Sequence, residues 1–297
     1  MAINDLKFAS KFSGELDKML IQKSVIGFMA DNVMRAKFVG AKTVIVPDID
    51  FVGLADYDRD KGFTNGAMTV AQQSFELSQD RARSLQIDRE DMDETGIANL
   101  AGQVMGEYIR TKVVPEMDSY VLSKLAKMAI DNENTSVLDT AKVYEQFVNL
   151  VNKIQGKAGF DTEIVVFVNP TVYAAFMNSP EIQRHITVSD FKQGEINLKV
   201  KKLNDVAIIP VADDRMKTEY TDDTKNGGLK PTENAKNIGM LALPKAAAHL
   251  VKKSETMRVF SPEQNLDADA YKFDYRVYYD AFVKKSNIKH IAAAISQ

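Results

Sequence analysis

The side chains that most often carry out chemistry are few in this sequence and far apart. The three histidines, His185, His249 and His290, have no metal-ligand spacing, and cysteine is absent. Because thiolate catalysis and cysteine–zinc sites both require cysteine, the sequence excludes these two chemistries, and it excludes disulfides as well. The histidines are therefore interpreted as ordinary surface or core residues.

One acidic stretch, DYDRDKG at 56–62, has the alternating aspartates of a calcium-binding loop. Its glycine comes one position late, however, and the twelfth position is Ala67 where such a loop has a glutamate. We interpret it as a solvated acidic turn. No glycine pattern typical of a nucleotide-binding loop occurs elsewhere in the chain. The sequence thus predicts neither an enzyme nor a bound metal or cofactor.

The composition is that of a globular protein. The chain has 297 residues, 45% of them hydrophobic, which is enough to bury a full core. A net charge of −3 does not favour a dedicated nucleic-acid binder, since such proteins are usually strongly basic. No run reaches the roughly 18 apolar residues of a membrane span, and the N-terminus has no secretory signal pattern. We expect a soluble protein.

The stretch FELSQDRARSLQIDREDMDE, at 75–94, alternates in the manner of extended chain. The residues that share one parity are Phe75, Leu77, Arg81, Arg83, Leu85 and Ile87. We expect a hairpin whose turn lies in the charged centre SQDRAR. An isolated two-stranded hairpin is marginal in water, so this one needs another surface to cover it.

Other patterns predict helices and strands on either side. An amphipathic N-terminal segment and a long helix are expected, the latter kinked or split at Pro115. The apolar stripe of the N-terminal segment is Phe8, Phe12, Leu16 and Leu20; that of the long helix is Ile97, Leu100, Ala101, Val104, Tyr108, Met117, Val121, Leu125 and Met128. Strands are predicted at 42–51, with Pro47 at an edge or at the end, and in EIVVFVN, INLKVKKL and VAIIPVA. An exposed loop is expected at 213–234, and a long strand with one buried face at 270–283.

Taken in order, these segments resemble the major capsid proteins of tailed double-stranded DNA bacteriophages, which share the Hong Kong ninety-seven phage-type capsid fold. SFELSQDRARSLQIDREDMDETG is similar to the extended loop of such proteins, and IANLAGQVMGEYIRTKVVPEMDSYVLSKLA to their spine helix. VFVNPTVYAAFMN resembles a strand–helix unit of the axial domain, and DADAYKFDYRVYYDAFV the return strands. The resemblance covers nearly the whole chain, although no single motif is diagnostic.

The resemblance implies an α+β fold with defined domains. They are an N-terminal arm (1–35), the first part of the peripheral domain (36–55), an extended-loop hairpin (56–95), the spine helix (96–136), an axial domain (137–244) and the return strands of the peripheral domain (245–297). It also implies subunit contacts by the arm stripe given above and by the extended loop. The extended-loop contact residues would be Phe75, Leu77, Asp80, Arg81, Arg83, Leu85, Ile87, Asp88 and Arg89.

The implied function is an icosahedral shell of pentamers and hexamers around double-stranded DNA. The partners would be further copies of the chain, a portal, a separate scaffolding protein and DNA bound without sequence preference; no membrane is involved. The location would be the virion, after assembly in the host bacterial cytoplasm. Residues 67–95 contain no lysine, so the lysine crosslink of some family members is not expected. An encapsulin-type nanocompartment shell, a phage tail component and a soluble enzyme remain as alternatives.

Overall fold

The computed structural model describes residues 24–31, 37–39, 42–57, 59–60, 62–63, 65–90, 101–179, 186–193, 196–203 and 205–296. The predicted N-terminal stripe of Phe8, Phe12, Leu16 and Leu20 lies outside these residues. So do Ile97 and Leu100, where the apolar stripe of the expected long helix begins.

The described part of the first half of the chain contains five strands and most of the helices. The elements up to the long helix are α1 Phe28–Asp31, β1 Lys37–Val39, β2 Thr43–Phe51, β3 Met68–Glu76 and β4 Gln79–Asp88. The next elements are α2 Ala101–Tyr108, a π-helical turn Ile109–Val113, α3 Val114–Asp131, β5 Thr135–Val137, a 3-10 turn Thr140–Lys142 and α4 Val143–Ala158.

The second half consists mainly of strands. The elements up to β9 are β6 Ile164–Val168, α5 Pro170–Asn178, β7 Ile186–Gln193, β8 Ile196–Leu203 and β9 Val206–Pro210. The elements that complete the chain are a 3-10 turn Asp213–Arg215, β10 Tyr220–Asp222, β11 Leu229–Pro231, β12 Ile238–Pro244, β13 Ala248–Phe260, β14 Ala270–Val283, α6 Lys285–Ile288 and β15 Ala292–Ile295.

The predicted long helix is confirmed from residue 101 onward, and residues 101–131 are called the spine helix below. Pro115 lies in the first turn of α3, directly after the π-helical turn. Because proline lacks a backbone donor and crowds the preceding turn, the helix changes its hydrogen-bonding pattern there. Met117, Val121 and Leu125 are buried, as their spacing predicted.

A seven-stranded sheet forms the centre of the molecule, in the order β5-β15-β12-β6-β9-β8-β7. Strand β6 is buried on both faces, and its side chains alternate between two clusters. Val165 and Phe167 pack in the cluster that contains the spine helix. Val166 and Val168 pack on the opposite face with α4 and α5. The sheet therefore lies between two helical layers, which explains why EIVVFVN has no polar alternation.

The long strand β14 lies between β13 and β4 in a three-stranded sheet. The expectation of one buried face is wrong for its C-terminal half, because residues 277–283 are buried on both faces. Val277 and Tyr279 face the spine-helix cluster, whereas Tyr278 and Phe282 face a separate small cluster with β2. Two different surfaces cover β14 at this point, so alternation alone could not predict its burial.

The segment 213–234 is not a simple exposed loop. Strands β10 and β11 pair within it as a short antiparallel hairpin. The segment is joined to the spine helix, since the Ser123 hydroxyl donates to the Thr218 carbonyl at 2.7 Å. Its polar, glycine-containing sequence therefore forms an ordered flap.

Candidate assembly surface

Strands β2 and β3 form a hairpin that leaves the body of the molecule. They pair antiparallel from Thr43–Glu76 at the body to Phe51–Met68 at the outer end. Nine residues per strand correspond to roughly 30 Å of extended chain. The short strand β1 pairs only with the inner end of β2, at 43–45. Pro47 lies beyond that pairing, and among the described residues its strand neighbour is β3, which fits its predicted edge position.

The inner end of this hairpin, the root, is firmly anchored. Val44 and Val46 are buried against Tyr278 and Phe282 of β14. The ring centroids of Phe75 and Phe282 are 4.9 Å apart. The chain then turns at Leu77 and Ser78, where the Leu77 amide donates to the Lys42 carbonyl at 2.8 Å. The root is thus part of the molecule's own core.

A buried carboxylate joins this root to the spine helix. Asp280 on β14 is fully buried, and Lys124 Nζ lies 2.6 Å from its Oδ1. The Tyr120 hydroxyl donates to the same oxygen at 3.0 Å. The Ser78 amide and hydroxyl donate to Oδ2 at 3.1 and 3.0 Å. Since each buried lone pair needs a donor, Asp280 holds Ser78 in place at the point where β3 ends and β4 begins.

The outer half of the hairpin, 51–70, is called the tip, and it is apolar but uncovered. Its exposed apolar side chains are Phe51, Val52, Leu54, Tyr57, Phe63, Met68 and Val70. The Tyr57 and Phe63 rings contact each other edge-to-face with centroids 5.2 Å apart, yet Phe63 remains 89% exposed and Leu54 107%. Large exposed apolar side chains that are concentrated in one segment are typical of an interaction site.

The predicted hairpin at 75–94, with its turn in SQDRAR, is wrong, because β3 and β4 do not pair with each other. Strand β4 pairs instead with β14 of the same chain, from Gln79–Tyr279 to Asp88–Ala270. The segment SQDRAR is therefore the beginning of a strand and contains no turn beyond Ser78. Strand β14 has a long, regular alternation, and the Ser78–Asp280 contacts fix the start of β4 beside it. Strand β4 therefore pairs with β14 and not with β3. The true hairpin lies upstream, at 43–76.

The predicted apolar contact residues are covered by their own chain. Phe75 stacks on Phe282, and Leu77 is buried beside it. Leu85 and Ile87 are half-buried against the spine-helix cluster. These four side chains therefore finish the subunit's own core.

Two of the predicted charged contact residues also have close partners within the chain. Arg81 Nε lies 2.6 Å from Glu116 Oε1 on the spine helix, and its Nη1 lies 2.6 Å from Asp222 Oδ1 on β10. Asp80 is paired with Arg276 at 2.6 Å. The hydrogen bond from Arg276 lowers the pKa of Asp80. These pairs connect β4 to β14, the spine helix and the flap.

The remaining charged contact residues are at the surface. Arg89 approaches Asp269 at 3.8 Å and Glu263 at 3.9 Å. Asp88 and Arg83 are exposed, and within the described part of the chain Arg83 makes no ion pair. That these residues meet a neighbouring copy stays a prediction.

A second buried carboxylate ties the start of the described chain to the body. Asp118 on the spine helix accepts hydrogen bonds from the Ser24 hydroxyl and, at 3.2 Å, from the Val25 amide. Arg215 Nη1 lies 3.0 Å from its Oδ2. Burial raises the pKa of Asp118 to about 6, although these contacts oppose the shift.

The sequence interpretation missed the tip itself. DYDRDKG at 56–62 was interpreted only as a solvated acidic turn, because turn-forming residues dominate this segment. The available signal was the set of large apolar residues in and around it, such as Leu54 and Phe63, which a solvated turn does not need.

Conventional chemical sites find no support in the described residues. No group of three or more His, Asp or Glu side chains there could hold a metal ion. No helix in the same part of the chain has the length and apolar character needed to cross a membrane. His249 is largely buried in β13. The exposed apolar side chains of the tip make it the candidate functional surface.

Comparison with known proteins identifies the fold by structure alone. No family model matches the sequence, and a search of the curated proteins finds no relative. A chain of Gordonia phage Cozz matches with a TM-score of 0.62 at 11% identity, covering 93% of this chain and 87% of that one. The capsid structure of the cyanophage P-SCSP1u matches with a TM-score of 0.58 at 12% identity, over 88% and 85% of the two chains.

A particle from an archaeon shares the same architecture. The virus-like particle from Pyrococcus furiosus matches with a TM-score of 0.52 at 13% identity, over 99% of this chain and 100% of that one. These likenesses establish that the chain has the Hong Kong ninety-seven phage-type capsid fold, as its segment order implied.

Proposed function

We propose that this chain is the major capsid protein of a tailed bacteriophage. Its copies assemble as pentamers and hexamers into an icosahedral shell that encloses double-stranded DNA. The observation that carries the proposal is a capsid fold whose apolar hairpin tip is left uncovered by the described residues of its own chain. A fold by itself does not determine function, so the exposed tip is the more specific support.

The energetics favour a tip that is covered in the functional state. Burying one large apolar side chain is worth about 1.5–3 kcal/mol, and a two-stranded hairpin alone is marginally stable in water. The tip carries seven such exposed side chains. A second copy of the chain is the natural cover, since closed homo-oligomers present the same surface to every neighbour.

The role we propose is structural and involves no catalysis or cofactor. The best-buried polar groups, Asp280 and Asp118, are occupied in joining elements of the fold. Each holds a basic side chain and further hydrogen-bond donors, which is the pattern of a structural node. Neither carboxylate is left free to act on a substrate.

The proposed role in a phage shell implies further partners. A portal and a separate scaffolding protein would guide assembly in the host cytoplasm, and DNA would be packaged without sequence recognition. The mature location would be the virion. The net charge of −3 fits a shell that contains DNA without binding it tightly.

An encapsulin-type nanocompartment shell is the second candidate. The observation that favours it is the match to the Pyrococcus furiosus virus-like particle over nearly the full length of both chains. In that case the shell would enclose a cargo protein, while the tip would have the same assembly role.

Electron microscopy of the purified full-length protein tests the proposal. Closed shells of uniform size are expected. Tubes would indicate a tail component, and dispersed single subunits at high concentration would contradict a shell role. Particles isolated from the native source then separate the two candidates: nuclease-protected DNA supports the phage capsid, and a co-purified cargo protein supports the nanocompartment.

A further inference from the structure

Two Asn-Gly pairs lie in contrasting surroundings. Asn65–Gly66 is in the tip, and Asn226–Gly227 is in the turn between β10 and β11. In such a pair the backbone nitrogen of glycine can attack the side-chain carbonyl carbon of asparagine. Glycine favours this attack because it has no Cβ to shield its nitrogen and adopts a wide range of backbone angles.

The Asn65 pair is open to this reaction. Both residues are exposed and belong to no helix or strand. Among the residues that the structure describes, Asn65 has no hydrogen-bond partner. A Cβ placed on Gly66 would meet no atom within 4 Å, so the backbone there has free space around it. Nothing in the described chain holds the asparagine amide away from the Gly66 nitrogen.

The Asn226 pair is held by Asp223. The Asn226 side-chain amide donates to Asp223 Oδ2 at 3.0 Å, and its backbone amide donates to Oδ1 at 3.3 Å. The attacking group itself is occupied, because the Gly227 amide donates to the Asp223 carbonyl at 2.8 Å.

Two further features reinforce this arrangement. The hydrogen bonds from Asn226 and Lys225 lower the pKa of Asp223, so it remains an ionised acceptor. The Arg83 guanidinium lies against Gly227, where an added Cβ would come within 3.1 Å of Nη1. Both reacting groups of this pair are thus restrained.

We propose that Asn65 is a site of spontaneous deamidation in the free subunit, and that the Asp223 turn protects Asn226. The Gly66 nitrogen loses its proton and bonds to Asn65 Cγ, the Cγ–Nδ2 bond breaks, and ammonia leaves. Water then opens the resulting five-membered imide to aspartate or isoaspartate. The net reaction is amide plus water to acid plus ammonia, with no change of oxidation state.

The consequence for assembly rests on the function proposed above. Deamidation places a new carboxylate near Phe63 and Met68 of the tip, where burial of a charge is costly. The isoaspartate product also lengthens the backbone and disturbs the hairpin. Subunits that remain unassembled would therefore lose competence with time, whereas a tip covered by a neighbour would be preserved.

The test is peptide mapping by mass spectrometry of the full-length protein during incubation at mildly alkaline pH. Subunits and any particles are first separated by size-exclusion chromatography. In free subunits, Asn65 is expected to deamidate at least about tenfold faster than Asn226, equivalent to about 1.4 kcal/mol in the barrier. In denaturant the two sites should react at similar rates. Equal rates in the folded subunit would overturn the proposal.

Two variants identify the cause. Gly66→Ala should slow reaction at Asn65 without disturbing the fold, because the added methyl group meets no neighbour. Asp223→Ala should accelerate reaction at Asn226 and leave Asn65 unchanged. An unaltered Asn65 rate in Gly66→Ala, or an unaltered Asn226 rate in Asp223→Ala, would contradict the mechanism. All rates are measured on free subunits, so failure to form shells would leave this test intact.

Discussion

Strands β3 and β4 follow each other along the chain, separated only by Leu77 and Ser78, but they have different surroundings. Strand β3 leaves the body with β2 as its neighbour, and residues 68–72 are exposed. Strand β4 returns along β14 and is joined to the spine helix through Arg81 and Glu116. Both strands are extended, and neither could be assigned to the body or to the hairpin from its alternation alone.

The difference shows that a buried hydrogen-bonding node separates the two strands. Asp280 receives both donors of Ser78, and the Tyr278 hydroxyl donates to the Leu77 carbonyl at 3.2 Å. Before the node, β2 and β3 leave the body beyond their anchored root; after it, β4 is fixed in the body by its pairing with β14. The body buries its own apolar side chains, whereas the described residues leave those of the tip exposed.

Removing the node is expected to have the largest effect on the subunit. Asp280→Ala leaves Lys124 and the Ser78 donors without their partner, which should cost about 3–5 kcal/mol in the free energy of unfolding. Chemical denaturation measures this loss. The control is Asp131→Ala at the exposed end of the spine helix, which should change stability by less than about 0.5 kcal/mol. A cost below about 1 kcal/mol for Asp280→Ala would mean that the node does not hold the two strands apart.

The free energy of unfolding of the body should also depend on pH, through Asp118. Its pKa is raised from 3.8 to about 6 in the folded state, so the folded protein binds a proton more tightly than the unfolded chain. The contribution of the Asp118 carboxyl group to the free energy of unfolding is fully present below about pH 4. It is lost as pH rises to about 6, and the total loss is about 3 kcal/mol. Denaturation of wild type and Asp118→Asn across this range measures it. The stability of the wild type relative to the variant should fall with rising pH; a constant difference would refute the shift.

A pair of valines compares the root and the tip directly. Val46 on β2 is 2% exposed and Val70 on β3 is 58% exposed. Val46→Ala should lower the free energy of unfolding by about 1–3 kcal/mol, since it removes two buried methyl groups and leaves a cavity. Val70→Ala should change it by less than about 0.5 kcal/mol. Equal costs in dilute, unassembled protein would show that the tip is already covered.

The smallest expected difference in stability is between substitutions at two arginines of β4, Arg81 and Arg83. Arg81→Glu places a carboxylate beside Glu116 and Asp222, and should cost about 1–2 kcal/mol after allowance for solvent screening. Arg83→Glu should change stability by less than about 0.5 kcal/mol, because Arg83 makes no ion pair within the described residues. Thermal unfolding of the two variants measures the difference. Similar shifts would indicate that the Arg81 pairs do not join β4 to the spine helix.

The sequence predicted the elements that are set by local pattern. The spine helix beyond residue 101, strand β6 and the length of β14 all carry periodic apolar residues whose spacing reflects their secondary structure. The ordered succession of these segments was sufficient to suggest the capsid fold, although the sequence matches no family model.

The sequence could not identify which strand pairs with which. Alternation in 75–94 is compatible with a local hairpin or with pairing to a distant strand, and the choice depends on Asp280, some 202 positions from Ser78. The partners of Arg81 are likewise 35 and 141 positions away. The local pattern determines on which face of a strand a side chain lies. Tertiary packing determines which residues that side chain contacts. The exposed tip was missed because turn-forming residues dominate its sequence.

Assembly of tip variants tests the central claim most directly. Leu54→Ser combined with Phe63→Ser removes apolar surface that the subunit itself leaves exposed, and Leu54→Ile with Phe63→Leu is the matched control that keeps it. Particle yield by electron microscopy and light scattering is the measurement, with unfolding curves to confirm that all proteins are folded. We expect shells from the wild type and the control, and only folded single subunits from the serine variant. Normal shells from the serine variant would contradict the account.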